Sequence, residues 1–285
     1  MLSYLNIYRP ANLILIGLSQ LFCGYFLDRQ ASITSLLENG IHWLLIGTLS
    51  CAAFGNWIND FFDQYRDSLN QKKTSYIHTL SRSLVILHFV VFVLGVIFAG
   101  YALNTWFFVL FISTIFSLLI YSWRLKDLPL IGNLVISILG FYSIYSLRFF
   151  SPSIDTYLVL HYSIFSGLLT LCREIIKDAE DVKGDRESGS KTLPILLGFK
   201  TTNMVIYGIL LILISLMIIS YYYQSYYFHG YLTYIFYGYC ILFIIIPLYK
   251  LAVDVRYIQS KEEYSSMSQL LKYVIFTGIL SILFF

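Results

Sequence analysis

Charged residues and cysteines are both scarce in this chain of 285 residues. Only 12% of the residues are charged, whereas a soluble domain carries about 25%, and the mean hydropathy is +0.72. These values exclude a soluble domain. No cysteine belongs to a Cys-x-x-Cys pair, so we expect neither a zinc site nor a disulfide framework. We expect four small apolar packing residues: Cys23, Cys51, Cys172 and Cys240.

Long apolar segments make up most of the chain. An apolar stretch of about 20 residues spans the roughly 30 Å hydrocarbon core of a bilayer as a helix. The first segment is predicted to be a span and not a signal peptide, because no small-residue cleavage site follows a short apolar core. Nine such segments predict nine transmembrane helices: Ala11–Leu27, Ile41–Ile58, Ser83–Tyr101, Thr105–Tyr121, Leu130–Phe149, Tyr157–Leu171, Thr202–Tyr221, Tyr231–Leu248 and Leu270–Leu283.

The basic residues are distributed unevenly among the connections between these segments. Alternate connections carry all of the 19 lysines and arginines except Arg29 and Arg148. The positive-inside rule therefore predicts that this face and the N-terminus are cytoplasmic, with the C-terminus on the opposite side. We expect a single polytopic α-helical domain over residues 1–285 in a prokaryotic cell membrane. Its expected partners include membrane lipids but no nucleic acid, and the oligomeric state is left open.

The acidic residues are concentrated in two matching motifs. Both motifs fall in long cytoplasmic connections, Asn59–Arg82 and Arg173–Lys200, which we predict to be functional loops. Ordinary loop charges paired with lysines and arginines are the alternative, but two copies on one membrane face favour a functional site. Six of the ten aspartates follow one spacing that occurs twice: Asp60-x-x-Asp63-x-x-x-Asp67 and Asp178-x-x-Asp181-x-x-x-Asp185.

On a continuous helix, this spacing aligns each motif along one face. Successive residues of a helix are rotated by about 100° around its axis. With this rotation, the aspartates of each motif and the preceding Asn59 or Lys177 all lie within an arc of about 100° around the axis. Oxygen ligands without histidine or cysteine suit Mg²⁺, which commonly joins carboxylates to substrate phosphates. We therefore predict that the two motifs are the two halves of one divalent-cation site around a diphosphate.

Basic and aromatic residues close the fourth apolar segment on the same face. Arg124 and Lys126 are positioned to contact phosphate oxygens, and Tyr121 is a candidate to face developing positive charge or to donate a hydrogen bond. A basic stop at a helix end, with snorkelling side chains, is an equally good interpretation. Arg9 and Asn12 open the first helix on this face and are further, weaker candidates.

Together these residues resemble the UbiA-type superfamily of membrane prenyltransferases. The resemblance rests on Asn59-Asp60-x-x-Asp63-x-x-x-Asp67 after the second segment and on the stretch from Arg173 to Pro194 after the sixth. The second stretch, with Tyr121-Ser-x-x-x-Lys126 and Gly132-Asn133, is most similar to the branch that includes digeranylgeranylglyceryl phosphate synthases. One departure is that residues 70–75 contain no proline, although Lys72 and Lys73 supply the positive charge.

The resemblance implies nine helices around a central cavity under a cytoplasmic cap, with Mg²⁺ as the cofactor. It implies that the metals hold a polyprenyl diphosphate, whose departure leaves an allylic carbocation for a lipid-like acceptor such as a prenylglyceryl phosphate. One metal is implied at Asn59, Asp63 and Asp67, and another at Asp181 and Asp185, with Asp60 and Asp178 in support. It implies that Lys126 and nearby arginines or lysines neutralise the diphosphate oxygens. The candidate catalytic or substrate-binding residues, beside the metal ligands and their supports, are Lys126, Tyr121, Lys177, Arg124, Arg9, Asn12, Lys72 and Lys73.

Two other functions are compatible with parts of this pattern. An aromatic acceptor, as in quinone biosynthesis, uses the same prenyl donor and the same metal chemistry. A divalent-cation transporter also places acids in membrane helices, but it needs polar groups near the bilayer midplane and an exit on the far side. Here the acids gather at one face, so we expect an enzyme and not a transporter.

Overall fold

The computed structural model describes residues 6–69, 81–224 and 231–285. Within these ranges the regular structure is helical, apart from one isolated antiparallel bridge between Asp28 and Ile154. The helices are α1 (Pro10–Phe26), α2 (Ile33–Glu38), α3 (Ile41–Phe62), α4 (Gln64–Leu69), α5 (Arg82–Leu103), α6 (Thr105–Trp123), α7 (Ile131–Tyr145), α8 (Leu147–Phe150), α9 (Thr156–Glu180), α10 (Val182–Glu187), α11 (Leu193–Gln224), α12 (Tyr231–Cys240), α13 (Ile246–Asp254) and α14 (Lys261–Ser281).

The helices that match the predicted segments are long and apolar. In the described part of the chain, eight helical segments have the length and hydropathy to cross a membrane, and α1 is a shorter apolar helix of 17 residues. The chain is therefore an all-α integral membrane protein, as predicted. The number of nine spans and the cytoplasmic cap remain predictions.

The prediction of a loop over Arg173–Lys200 is wrong for most of that stretch, which is helical. The predicted sixth segment ends at Leu171, but α9 continues to Glu180, α10 follows at once, and α11 begins at Leu193. The helix continues because its charged residues find partners: the Lys177 ammonium donates to Glu174 Oε1 at 3.0 Å, and Asn133 Nδ2 donates to Asp178 Oδ2 at 2.8 Å. A prediction from hydropathy alone ends this segment before Arg173, its first charged residue.

Two apolar cores are joined by α9. One core is built mainly from α1 to α3 and α5 to α8 around residues such as Phe54 and Leu147, and the other from α11 to α14 around Leu210 and Leu271. Helix α9 contributes buried residues to both, with Leu158 in the first core and Ile175 in the second. Small residues allow α7 and α9 to approach closely, and the Ser137 hydroxyl donates to the carbonyl of Gly167 at 2.8 Å.

The end of the bundle that carries Arg29 and Arg148 is held by its own polar contacts. Arg29 pairs with Asp155 at 2.8 Å, and the Ser151 hydroxyl donates to Asp28 at 2.5 Å. These contacts join the end of α1 to the start of α9. The two aspartate motifs lie at the C-terminal ends of α3 and α9, away from these contacts. Both motifs are therefore at the same end of the bundle.

Candidate functional site

The two aspartate motifs have matching backbone structure. Helix α3 ends at Asp63 (φ −92°, ψ 4°) and α9 ends at Asp181 (φ −98°, ψ 6°), and a short helix follows each aspartate. Their N–H groups donate to the carbonyls of Asn59 and Lys177, both at 2.9 Å. The continuous helical arc predicted for each motif is therefore wrong, because the chain turns at the central aspartate and redirects the residues after it.

Arg66 joins the two motifs. Its guanidinium lies 3.5 Å from Asp63 Oδ1 and 3.3 Å from Asp185 Oδ1, and it also donates to the Asp127 carboxylate. Burial works against the charged guanidinium, but the Asp63 and Asp185 carboxylates outweigh it and raise the pKa of Arg66 above its ordinary value. One carboxylate from each motif thus shares a single, partly buried cation.

Asp127 brings a third connection between helices, the one that follows α6, into contact with Arg66. Its carboxylate accepts from the Ser190 hydroxyl at 2.8 Å, and its backbone carbonyl accepts from the N–H of Lys191 at 2.8 Å. Asp127 belongs to the 3₁₀ turn Leu125–Asp127 between α6 and α7, whereas Ser190 follows α10. The connections that follow α3, α6 and α9 therefore meet around Arg66.

Lys126 is a second cation that contacts the first motif. Its ammonium donates to Asp63 Oδ1 at 2.6 Å and lies 3.4 Å from Asn59 Oδ1, and its side chain is only 8% exposed. Burial lowers the pKa of Lys126, and the Asp63 carboxylate only partly offsets that effect. Lys126, which is predicted to contact phosphate oxygens, thus lies against two predicted metal ligands, Asn59 and Asp63.

Gly132 allows the turn that carries Lys126 to lie against α7. A Cβ atom at residue 132 would lie 2.7 Å from Lys126 Cα and 2.8 Å from the carbonyl oxygen of Leu125. Both neighbours are backbone atoms, so they cannot move aside by changing rotamer. Leu130, with φ 61°, adopts the left-handed backbone conformation between the turn and α7. The position of the Lys126 ammonium therefore depends on a residue without a side chain.

We expect Gly132→Ala to lower kcat/KM for the prenyl diphosphate by roughly 100-fold, because displacements near 1 Å have effects of that size. The turn must shift away from α7, and the Lys126 ammonium must shift with it. Steady-state kinetics in detergent measure the loss. Gly208→Ala is the matched control, since nothing lies within 4 Å of a Cβ there. Unchanged kinetics in Gly132→Ala would show that the site does not depend on this contact.

The first aspartate of each motif is held by another helix. Arg9, just before α1, pairs with Asp60 Oδ1 at 3.0 Å, and Asn133 of α7 donates to Asp178. The supporting roles that the resemblance implies for Asp60 and Asp178 remain predictions. The Asp67 side chain, and the whole of Lys72 and Lys73, lie outside the described residues.

The chemistry of the donor set fits Mg²⁺. Among the described residues, histidine, cysteine, aspartate and glutamate side chains form no cluster of three or more that is ready to hold a metal. The oxygens of Asn59 and Asp63 nevertheless already share a cation, the Lys126 ammonium, and those of Asp63 and Asp185 share the Arg66 guanidinium. Oxygen ligands of this kind are those that Mg²⁺ prefers.

A cavity of about 350 Å³ lies among α1, α3, α6, α7, α9 and α14. Five predicted site residues line it: Arg9, Asn12, Asn59, Tyr121 and Lys177. Arg124 does not line it and is exposed at the end of α6. Apolar side chains form much of the remaining wall: Leu110, Phe111, Leu118, Ile136, Leu139, Ile144, Phe165, Leu169, Ile275, Ile279 and Ile282.

Several polar residues of this site are not among those predicted from the sequence. Arg66 and Asp127 complete the junction of the two motifs, and Arg173, Glu174 and Lys272 line the cavity. A signal for Glu174 existed, because it precedes Lys177 by one helical turn in a helix that is otherwise apolar, and ionisable residues in such helices are functional candidates. Arg66 stands inside the first motif, but its partner Asp185 is far away in sequence.

Comparison with known sequences places the chain near one group of proteins. A sequence model of the UbiA prenyltransferase family matches residues 18–276. The chain is 33% identical over 207 residues to the digeranylgeranylglyceryl phosphate synthase of Thermococcus kodakarensis, covering 70% of each chain. It is 28% identical over 286 residues to the synthase of that name from Pyrococcus horikoshii, covering 99% of this chain and 96% of the relative.

Solved structures show the same fold. A UbiA homologue from Archaeoglobus fulgidus bound to GPP and Mg²⁺ superposes with a TM-score of 0.68 at 16% identity, covering 98% of this chain and 99% of that one. The apo structure of a UbiA homologue from Aeropyrum pernix gives a TM-score of 0.65 at 18% identity, covering 93% and 96%. At these identities the likeness concerns the fold alone.

Proposed function

Because this chain belongs to the UbiA prenyltransferase family, we propose that it uses Mg²⁺ to transfer a prenyl group from a polyprenyl diphosphate to a prenylglyceryl phosphate. The observation that carries this proposal is the junction at Arg66, where Asp63 of one motif and Asp185 of the other meet beside a largely apolar cavity. A polar, anionic end next to an apolar space suits a substrate with a diphosphate head and a hydrocarbon tail.

The chain's own residues would bind and orient the diphosphate. Asn59, Asp63, Asp67, Asp181 and Asp185 are the proposed metal ligands, and bound Mg²⁺ would neutralise the charge of the departing diphosphate. Lys126 and Arg66, which lie on the same carboxylates, are placed to donate to phosphate oxygens. The apolar cavity wall excludes water from the allylic carbocation, and Tyr121 lines that cavity.

The acceptor follows from the chemistry of the relatives' named product. Digeranylgeranylglyceryl phosphate carries two geranylgeranyl groups on one glyceryl phosphate, so the last transfer adds a geranylgeranyl group to geranylgeranylglyceryl phosphate. In that step the C–O bond to the diphosphate breaks, an ether C–O bond forms at the acceptor hydroxyl, and diphosphate and a proton leave. We propose this reaction for residues 1–285 acting as one domain, with geranylgeranyl diphosphate as donor.

An acceptor screen tests the proposed function. Purified protein with Mg²⁺ and labelled geranylgeranyl diphosphate is offered geranylgeranylglyceryl phosphate, hydroxybenzoate, dihydroxynaphthoate and homogentisate, and the products are identified by mass. We expect label in the glyceryl phosphate ether, and none when EDTA replaces Mg²⁺. Transfer to an aromatic acceptor alone would instead support quinone biosynthesis. No transfer to any acceptor at several prenyl lengths would contradict the enzyme as proposed.

The pH dependence of transfer should report the Lys126 ammonium. Burial lowers the pKa of Lys126 below the ordinary value of a lysine, so the charged form that binds phosphate is lost earlier as the pH rises. We expect the alkaline limb of kcat/KM for the diphosphate to lie below pH 10.5. Lys126→Arg keeps the charge to higher pH and should move this limb upward, with activity reduced about tenfold by altered geometry. An alkaline limb at the same pH in both proteins would assign it to another group.

We propose that the site faces the cytoplasm, with the N-terminus on the same side and the C-terminus opposite. The support is the charge pattern: Arg29 and Arg148 lie at the end of the bundle away from the motifs, and the other lysines and arginines fall in or beside the alternate connections predicted from the sequence. The positive-inside rule assigns the more basic side to the cytoplasm. Labelling of single cysteines introduced at exposed Arg29 and Lys250 in intact cells and in lysed cells tests the orientation.

A further inference from the structure

The cavity wall formed by α1, α9 and α14 is strongly basic. Of the described residues that line the cavity, four are cationic and only Glu174 is anionic. Placing like charges together at a membrane protein's interior is costly unless an anion compensates them. The four cations are Arg9, Arg173, Lys177 and Lys272.

The four cations share two carboxylates, because Arg9 pairs with Asp60 Oδ1 at 3.0 Å and Glu174 pairs with Lys177 and Arg173. Glu174 accepts from the Lys177 ammonium at 3.0 and 3.1 Å and from the Arg173 guanidinium at 3.3 Å, so one carboxylate serves two cations. The Nε atom of Arg173 is buried and has no hydrogen-bond partner among the described residues. A buried guanidinium N–H without an acceptor is rare in folded proteins, and it points to a missing anion.

Lys272 approaches the same place from α14. It lines the cavity, its side chain is exposed, and it makes no ion pair or hydrogen bond within the described part of the chain. Arg173 and Arg9 lie close enough to act on its ammonium as like charges, and Glu180 acts on it as an opposite charge. Three cations, from the start of α1, from α9 and from α14, therefore line one part of the cavity wall. Their charge suits a phosphate monoester, which carries nearly two negative charges at neutral pH.

This basic wall is separate from the aspartate junction. Arg173 precedes Asp181 by eight residues on α9, which is about 12 Å along the helix axis. Asp63, Asp181 and Asp185 do not line the cavity, whereas Arg173 and Lys272 do. An anion bound at the wall therefore meets these cations away from Asp63, Asp181 and Asp185, the carboxylates proposed to hold a metal-bound diphosphate. The site offers two anion positions of different chemistry.

We propose that Arg9, Arg173 and Lys272 form an anion subsite on the α1–α9–α14 wall, and that this subsite binds the phosphate of the acceptor lipid. The inference rests on the proposed function and goes further, because it assigns the acceptor's phosphate to residues other than those that hold the diphosphate. Lys177 neutralises Glu174 and so leaves Arg173 available to the acceptor. This subsite selects a phosphorylated lipid over an uncharged one.

Kinetics of Lys272→Gln with two acceptors test the subsite. Geranylgeranylglyceryl phosphate is compared with the same lipid after removal of its phosphate, with geranylgeranyl diphosphate as donor. For the phosphorylated acceptor, we expect the acceptor KM to rise about tenfold in Lys272→Gln and about 100-fold in Lys272→Glu. The KM for geranylgeranyl diphosphate should change less than about twofold, and the dephosphorylated acceptor should not distinguish Lys272→Gln from the wild type, because removing either partner removes the same interaction.

The control is Lys250→Gln, which removes an exposed lysine outside the cavity and should change neither KM. The subsite is overturned if Lys272→Gln raises the KM for the diphosphate instead, or if it weakens both acceptors equally. If the wild type transfers to neither acceptor, the proposed function fails. Calorimetric binding of geranylgeranylglyceryl phosphate without donor then still tests the subsite, since equal dissociation constants in wild type and Lys272→Gln would contradict it.

Discussion

Asp63→Asn and Asp181→Asn are each expected to lower kcat/KM for prenyl transfer by at least about 1000-fold, which corresponds to about 4 kcal/mol. Each aspartate is the central residue of its motif and ends its helix with nearly the same backbone angles. Asparagine keeps the size and removes the charge that a metal-bound diphosphate needs. The measurement is initial-rate kinetics with saturating Mg²⁺ and geranylgeranylglyceryl phosphate as acceptor.

The matched control is Asp254→Asn, the same substitution at an exposed aspartate at the end of α13. It should leave kcat/KM within about twofold of the wild type. Size-exclusion chromatography and thermal unfolding of all three variants show whether each is folded. Full Mg²⁺-dependent activity in either motif variant would contradict a site made from both motifs.

Arg66→Ala is expected to lower the free energy of unfolding by about 3 kcal/mol, the usual order when one partner of a buried ion pair is removed. For a chain of about this length, a loss of this size should lower the melting temperature by roughly 6–12 °C. The substitution leaves Asp63 and Asp185 close together without their shared cation. Mg²⁺ neutralises the same carboxylates and binds only the folded protein, so it should raise the melting temperature of Arg66→Ala more than that of the wild type.

Arg186→Ala serves as the control for Arg66, because Arg186 is an exposed arginine on the neighbouring α10. It should change the melting temperature by less than about 2 °C, as is usual for surface substitutions. Thermal unfolding followed by tryptophan fluorescence, with and without Mg²⁺, gives both values. An Arg66→Ala protein as stable as the wild type would show that the guanidinium does not hold the two motifs together.

Hydropathy and motif spacing were sufficient for much of the architecture. Each predicted apolar segment corresponds to one helix or to two consecutive helices, because burial in a bilayer requires a continuous apolar stretch whatever the neighbouring helices are. The pairing of the two aspartate motifs also follows from the sequence, since the spacing repeats and both copies fall in connections on one side. Membership of the UbiA family and the all-α fold were likewise predicted correctly from these motifs.

The details of the site depend on contacts between distant parts of the chain. The end of α9 was predicted nine residues too early, because hydropathy ends a segment at Arg173 although the charges there pair with each other. The role of Arg66 requires α4 to approach α10, and that of Lys272 requires α14 to face α9. Such approaches follow from tertiary packing, which local spacing does not specify.

The central claim is that the two aspartate motifs form one diphosphate site and not two independent ones. The most direct test is calorimetric binding of geranylgeranyl diphosphate, with and without Mg²⁺, to Asp63→Asn, Asp181→Asn and the double variant. If the motifs act as a unit, each single variant loses most of the Mg²⁺-dependent binding free energy and the double variant loses little more. Two partial losses that add up in the double variant would contradict the claim.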